Sequence, residues 1–304
     1  MIITDPEEFL EQMTSGDYHA EFPPCAKAAM LIEPAGFTIS SQSATDNHYM
    51  DVHDVVDEGR AIAQSRGLAE LIRERGIEAK VFPGDPETPD AIFPNNVFAT
   101  THQRFIIGHM LHPVRQKEAE RKDIREYFES RGYQTVDLSK QDCIAELTGT
   151  MIIDHARNIG FCGMSGRVNE AGLEAMHEAF GLKMLFAFDL KAMEYHTNVV
   201  MMILAARVCV IYPGAFVNPI VPQAIAHVFP GRTLILSEAE KNAFAGNCIA
   251  LSKDDLFMSS TGYAALKAES RAKLESWGFK IHHTPLDEIE KAGGSLRCMV
   301  AEIF

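Results

Sequence analysis

One order of polar and apolar positions recurs five times along the chain. An amphipathic stretch with helical spacing runs into a glycine, and a short apolar run with strand character follows at once. Residues 61–75 end at Gly76 before 77–82, residues 118–131 at Gly132 before 133–138, and residues 170–180 at Gly181 before 182–186. Residues 222–230 then end at Gly231 before 232–236, and residues 263–277 at Gly278 before 279–283. Successive glycines lie 56, 49, 50 and 47 positions apart by subtraction. Glycine there suits a helix end that must turn through the left-handed conformation.

Between these units lie pairs of apolar runs joined by polar turn residues, a hairpin pattern. They are 97–100 with 105–108, 151–154 with 159–162, 199–204 with 208–212, and 248–251 with 256–258. The fifth pair lacks its second half at the C-terminal end, and the apolar run 28–34 can supply it. An array completed in this way closes on itself and leaves no exposed sheet edge. The pattern predicts an α/β fold of five ββαβ units around a pseudo-fivefold axis. Residues 1–304 are expected to form a single domain in which 1–27 are an N-terminal extension. An open α/β sheet would leave the equal register of the five glycines an accident. A circular array has a central cavity lined by strand ends, where a small ligand would bind.

Composition narrows the partners. With 304 residues, 46% apolar and 23% charged, the chain can bury a substantial core. A formal net charge of −14 argues against nucleic acid or an anionic membrane and suits a small cationic substrate. Residues 1–8 lack the basic and apolar regions of a signal peptide. The longest apolar run, 199–206, is broken by Arg207 and is too short to span a bilayer. Six scattered cysteines without CxxC spacing are expected as free thiols of a reducing, cytoplasmic compartment. No metal-ligand spacing stands out: His48 and His53, and the adjacent His282 and His283, are expected to be solvated or packing residues.

The hairpin runs open with distinctive polar residues: Asn95-Asn96, Glu146 to Thr150, His196-Thr197-Asn198, Gly246-Asn247 and Arg297-Cys298. In a circular array these all face one axial cavity, so Cys298, His196 and Glu146 meet although far apart in sequence. Cys298 is expected to open the last strand after the Gly293-Gly294 pair. A thiol beside a histidine can act as a nucleophile, the imidazole shuttling the proton. A nearby carboxylate can orient the histidine or bind a cation.

Four separated segments carry a further signal: Pro89 to Asn96, Tyr195-His196-Thr197-Asn198-Val199, Phe244 to Asn247, and Gly293 to Met299. Together they resemble the guanidino-group-modifying (amidinotransferase/arginine deiminase) superfamily. The likeness is strongest to arginine-deiminase-related hydrolases that include citrulline-utilisation enzymes, and dimethylarginine dimethylaminohydrolases look more distant. The resemblance runs from about residue 28 to the end and implies a five-bladed α/β propeller. It also implies a hydrolase cleaving C–N bonds of a guanidino or ureido amino acid through a covalent cysteine intermediate, with no cofactor and no metal. Cys298 would be the nucleophile, His196 the general acid/base, and Glu146 the acidic residue contacting guanidino group and histidine. Leu147 stands where the family usually has glycine after that glutamate. Asp90 resembles the acid that grips the guanidino end, and Arg115 and Arg167 match arginines that hold the substrate carboxylate.

Asn95-Asn96 depart from the Glu-Asp pair of methylarginine hydrolases. A guanidinium offers only donors, whereas a ureido group adds a carbonyl acceptor, and an asparagine amide satisfies both. The departure favours arginine or citrulline over methylarginines. The polar segment 36–51 lacks periodicity and is expected either as a lid, with Asn47 reaching the substrate, or as an ordinary ordered loop. An amidinotransferase, a dimethylarginine hydrolase and a non-catalytic propeller that only binds remain as alternatives. The expected partner is a small guanidino or ureido amino acid, with no nucleic acid and no membrane; assembly into a homo-oligomer is left open.

Overall fold

The computed structural model describes residues 1–304. Strands β1 (Ile2–Ile3), β2 (Ala28–Ile32) and β3 (Glu78–Phe82) come first. They are followed by β4 (Phe98–Thr100), β5 (Arg104–Ile107) and β6 (Gln134–Asp137). Next are β7 (Met151–Asp154), β8 (Ile159–Met164) and β9 (Met184–Asp189). Then come β10 (Met201–Leu204), β11 (Val208–Ile211) and β12 (Thr233–Ile235). The last are β13 (Ile249–Ala250), β14 (Asp255–Ser259), β15 (Lys280–Thr284) and β16 (Ala301–Ile303).

These strands form five separate sheets, each an antiparallel pair extended by a parallel third strand. A parallel neighbour needs a crossover, and helices supply it: Glu58–Glu74, Lys122–Glu129, Glu170–Phe180, Ile220–His227, and the pair Ser260–Ala265 and Ala268–Ser276. The five glycines that end these crossovers all have positive φ, between 64° at Gly181 and 89° at Gly278. The chain's last strand pairs with an early one, Ala301 opposite Met30 and Ile303 opposite Ala28, as the incomplete fifth hairpin required.

Three local departures have physical reasons. First, the polar residues that open the hairpins sit in single turns rather than in the strands themselves. The turns are Pro94–Asn96, Leu147–Thr150, Thr197–Val200 and Leu296–Met299, and the strand starts after each. A short buried apolar run has the same pattern as turn or strand, so periodicity could not separate them. Cys298 therefore lies inside a turn, not at the opening of a strand. Second, the 118–131 helix is reduced to Lys122–Glu129, because Arg121 is extended (φ −61°, ψ 101°) and Glu118 is drawn inward to Arg115. Third, the 263–277 helix breaks at Leu266, extended at φ −56° and ψ 126°. Across the break, Glu240 accepts from the Lys267 N–H at 3.1 Å and the Ser270 hydroxyl at 2.6 Å.

The N-terminal extension is packed into the body. Strand β1 joins β9 in parallel, making that sheet four-stranded. The helix Pro6–Ser15, capped by Asp5, buries Phe9 against Phe186 at a ring separation of 4.3 Å. All six cysteines are free thiols. No helix is long and apolar enough to cross a membrane.

Candidate active site

The turns before the strands converge because each hands a hydrogen bond to the next. Thr148 Oγ1 donates to the Asn95 carbonyl at 3.0 Å, and Asn198 Nδ2 to the Thr148 carbonyl at 3.2 Å. Asn247 Nδ2 donates to the Asn198 carbonyl at 2.9 Å, while Asn247 Oδ1 accepts from the Arg297 N–H at 3.0 Å. By this chain of contacts, residues about fifty positions apart fix one another, and Cys298 follows directly after the last of them.

The Cys298 side chain is buried. Asn247 Nδ2 donates to Sγ at 3.3 Å, and Sγ itself lies 3.7 Å from Asn198 Oδ1. Burial pushes its pKa above the ordinary thiol value, and the hydrogen bond from Asn247 only partly offsets this. In the resting molecule Cys298 is a thiol.

His196, also buried, places Nε2 2.8 Å from Glu146 Oε2. Burial opposes the Glu146 charge, but the Arg167 guanidinium and the His196 hydrogen bond outweigh it and hold this carboxyl well below its usual range. An ionised carboxylate only accepts, so Nε2 carries the proton and Nδ1 the lone pair. Nδ1 is buried without a partner. Burial also lowers the His196 pKa despite the pull of Glu146, so the imidazole is neutral near pH 7. Glu146 Oε1 additionally accepts from the Leu111 N–H at 3.1 Å.

Cys298, His196, Asp90, Asn96, Arg115, Arg167 and Asn47 line one cavity, together with Ser43, Met50, Phe93, Tyr195, Ala292 and Gly294. Three acceptor atoms among them have no partner: Asp90 Oδ1, Asn96 Oδ1 and His196 Nδ1. Gly149 backs two of these groups so closely that a β-carbon there would lie 2.5 Å from Asn96 Oδ1 and 2.8 Å from His196 Cε1.

Two expected contacts are placed differently. Glu146 does not line the cavity; it stands behind His196, its oxygens bonded by His196, Arg167 and the Leu111 N–H. Asn95 does not line it either; its carbonyl receives Thr148 and its amide atoms are buried elsewhere without partners. A turn places neighbouring side chains in different directions, so only one of the two asparagines can face the thiol.

Both arginines reach the cavity with their forks occupied. Arg115 gives Nε and Nη2 to the buried Glu118 at 2.8 and 2.9 Å, and Nη2 also reaches the carbonyls of Asp90 and Phe93. Burial lifts the Glu118 carboxyl to about 7, with Arg115 opposing the rise. Arg167 gives Nε and Nη2 to Asp46, each at 2.7 Å, and Nη1 to Glu146 at 3.2 Å. Glu118 thus fills the Nε–Nη2 edge of Arg115.

The segment 36–51 lies over the cavity. Ser43 donates to Asp90 Oδ2 at 2.6 Å, and Asn47 Nδ2 reaches the Gly293 carbonyl at 3.4 Å. Gly293, at φ 73°, leaves no room for a side chain, since a β-carbon would sit 2.3 Å from Asn47 Nδ2. Tyr49 is fixed between Glu194 and Lys241, at 2.8 Å from each. Beneath this cover the space is about 20 Å³, measured at the centre of a water-sized sphere, too small for an amino acid.

Sequence reasoning missed Ser43, Asp46 and Glu118, whose only signal was polarity in a segment without periodicity or on an expected helix face. It also gave no site role to Asn198 and Asn247, although their spacing from Cys298 was visible. A roomier cavity among Thr101, His102, Arg104, His155, Phe180 and Phe304 holds no thiol, and its Arg104 is spent on the carbonyls of Glu178 and Ala179.

Comparison with known proteins gives a family and a fold. A family model described as N,N dimethylarginine dimethylhydrolase, eukaryotic, matches residues 33–304. The chain is similar to the bifunctional arginine dihydrolase/ornithine cyclodeaminase AgrE of Nostoc sp., 26% identical over 247 residues, or 80% of this chain and 33% of that protein. It is also similar to the N(G),N(G)-dimethylarginine dimethylaminohydrolase of Mycobacterium tuberculosis, 21% identical over 92% of this chain and 87% of that one. The chain spans about a third of the length of the bifunctional relatives it matches. Among solved structures, the N-terminal domain of ArgZ covalently bound to a reaction intermediate has a TM-score of 0.80 at 21% identity. The match covers 91% of this chain and 97% of that one. A mutant of DDAH from Pseudomonas aeruginosa complexed with citrulline has a TM-score of 0.73 at 19% identity, covering 92% and 100%. These likenesses show a shared mixed α/β fold.

Proposed function

The chain belongs to the N,N-dimethylarginine dimethylhydrolase family of guanidino-modifying enzymes, and on that premise we propose that it hydrolyses C–N bonds of a guanidino or ureido amino acid of the arginine or citrulline type. In this reading its five sheets are the blades of a five-bladed α/β propeller, and the whole chain is one catalytic domain.

One observation carries the proposal: three unpartnered acceptors, Asp90 Oδ1, Asn96 Oδ1 and His196 Nδ1, surround a cavity that also holds the Cys298 thiol. Buried acceptors without partners are costly unless a ligand supplies donors, and a guanidinium is a planar set of donors with no acceptor. Asn96 adds an amide that can rotate to offer N–H to a ureido carbonyl, which a carboxylate cannot do. That favours citrulline, or arginine hydrolysed twice through a ureido stage, over methylarginines.

The residues divide the chemistry as follows. The thiol proton of Cys298 passes to His196 Nδ1, whose basicity Glu146 sustains through Nε2. The sulfur attacks the central carbon, forming a C–S bond. Collapse breaks one C–N bond, and the departing nitrogen takes the proton from His196. Water then gives a proton to Nδ1 and attacks the same carbon. The C–S bond breaks and the thiol is restored. One round on arginine leaves citrulline and ammonia; a second, on the ureido group, releases another ammonia and a carbamate that loses carbon dioxide.

Ammonia and ornithine measured by mass spectrometry from L-arginine, L-citrulline and methylarginines test the reading. Release from arginine or citrulline is expected, falling about 10³-fold or more in Cys298→Ser and in His196→Ala while both variants stay folded. Turnover confined to methylarginines, or activity retained in either variant, would overturn it.

A further inference from the structure

Asp46 makes with Arg167 the bidentate pair that an amino acid's own carboxylate would make. Both bonds are 2.7 Å, from Nε to Oδ2 and from Nη2 to Oδ1. Arg167 is 2% exposed and lines the cavity, and Asp46 holds its fork from beside the lining residues Ser43 and Asn47 of the same segment. Its other face, Nη1, is committed to Glu146. The Nε–Nη2 edge is covered by the segment 36–51, through the Asp46 carboxylate and the Ser43 carbonyl, which Nη2 reaches at 3.3 Å.

The two arginines differ in how firmly their carboxylates are held. Glu118 is 1% exposed and three residues from Arg115, locked in the same buried turn. The Asp46 side chain is 34% exposed and belongs to the segment that roofs the cavity. His112 Nε2 also bonds Asp46 Oδ1 at 2.9 Å, a second partner for this carboxylate besides Arg167. With only about 20 Å³ of room beneath it, the roof must yield before any amino acid enters.

We propose that Asp46 is a specificity residue acting through Arg167: its carboxylate occupies the place of the substrate's α-carboxylate and is exchanged for it on binding. The inference rests on the reading of the site as one for guanidino or ureido amino acids. The exchange rewards substrates that bring a carboxylate. A decarboxylated analogue such as agmatine leaves Asp46 in place and the roof latched.

Steady-state kinetics of the wild-type protein and Asp46→Asn, with L-arginine, L-citrulline and agmatine, test it. Asparagine keeps the shape but removes the competing charge. The KM for the better amino acid substrate should fall about tenfold, with kcat little changed. The preference for L-arginine over agmatine should rise by a similar factor, because only the substrate that brings a carboxylate gains from the weaker competitor. A purely structural latch would instead raise KM or lower kcat in the variant, and either result overturns the exchange while the hydrolase reading stands. So does a wild-type enzyme that prefers agmatine. If wild-type protein turns over neither arginine nor citrulline, the functional reading itself falls and the exchange with it.

Discussion

Burial penalises the Cys298 thiolate and the His196 imidazolium alike, raising the thiol pKa and lowering that of the imidazole. The sign of the pH dependence follows. A thiol pKa raised above the ordinary value means the thiolate fraction is small near neutrality and grows as pH rises toward that pKa. Alkylation of Cys298 by iodoacetamide should therefore accelerate by about tenfold per pH unit above neutrality, with no plateau below the ordinary thiol value. The measurement is the rate of mass gain across pH, with Cys298→Ser correcting for the other cysteines. A plateau already at pH 7 would mean that the site stabilises the thiolate unaided. Glu146 contributes in the opposite pH range. Its folded pKa is depressed, so its stabilisation is present above the unfolded carboxyl value and is lost as pH falls through the folded one.

At the scale of elements, a few buried polar side chains decide where helices stop, and Glu240 joins two of them. Its Oε2 accepts from the Ser237 N–H and hydroxyl, completing a capping box for the helix Glu238–Asn242. Its Oε1 takes the Lys267 N–H and the Ser270 hydroxyl at the start of the helix Ala268–Ser276. Glu240→Ala removes both caps and leaves buried donors open, costing about 2–4 kcal/mol. Urea denaturation should show a lower midpoint with an unchanged slope, and kcat should be retained below the transition because Glu240 does not line the cavity. A midpoint within error of wild type would show that water replaces the carboxylate. These caps also explain what the pattern of apolar positions could not show. Gly76, Gly132, Gly181, Gly231 and Gly278 mark helix ends through local backbone chemistry that is written in the residue itself. The break at Leu266 depends on a carboxylate 26 positions away from it by subtraction (266 − 240), so no local window contains it.

For the molecule as a whole, the repeated spacing made Cys298, His196 and Asn96 legible as neighbours, because a circular array would convert equal sequence distance into proximity; Asp90 was legible only through the family resemblance. It did not show which side of each turn faces the cavity: Glu146 meets His196 as expected, but neither it nor Asn95 lines the cavity. Nor did it show that Arg115 and Arg167 would already be paired, since Glu118 and Asp46 act through side-chain geometry that has no period. The same register predicts that the units are coupled at the axis, and Asn247 is where coupling and chemistry meet. Its amide donates to the Asn198 carbonyl and to Cys298 Sγ, and its Oδ1 receives the Arg297 N–H. Asn247→Ala strands two buried backbone groups, at about 1–3 kcal/mol each. It also removes the hydrogen bond that lowers the Cys298 pKa. Guanidinium denaturation should show a loss of about 2–6 kcal/mol, and alkylation of Cys298 at fixed pH should slow. Asn247→Asp should move both readouts further in the same direction. It keeps an acceptor for Arg297 but sets a buried negative charge against the Asn198 carbonyl and the sulfur, so more stability is lost and alkylation slows further. If both variants lose stability but alkylate at the wild-type rate, the axial hydrogen bonds hold the five units together without tuning the thiol.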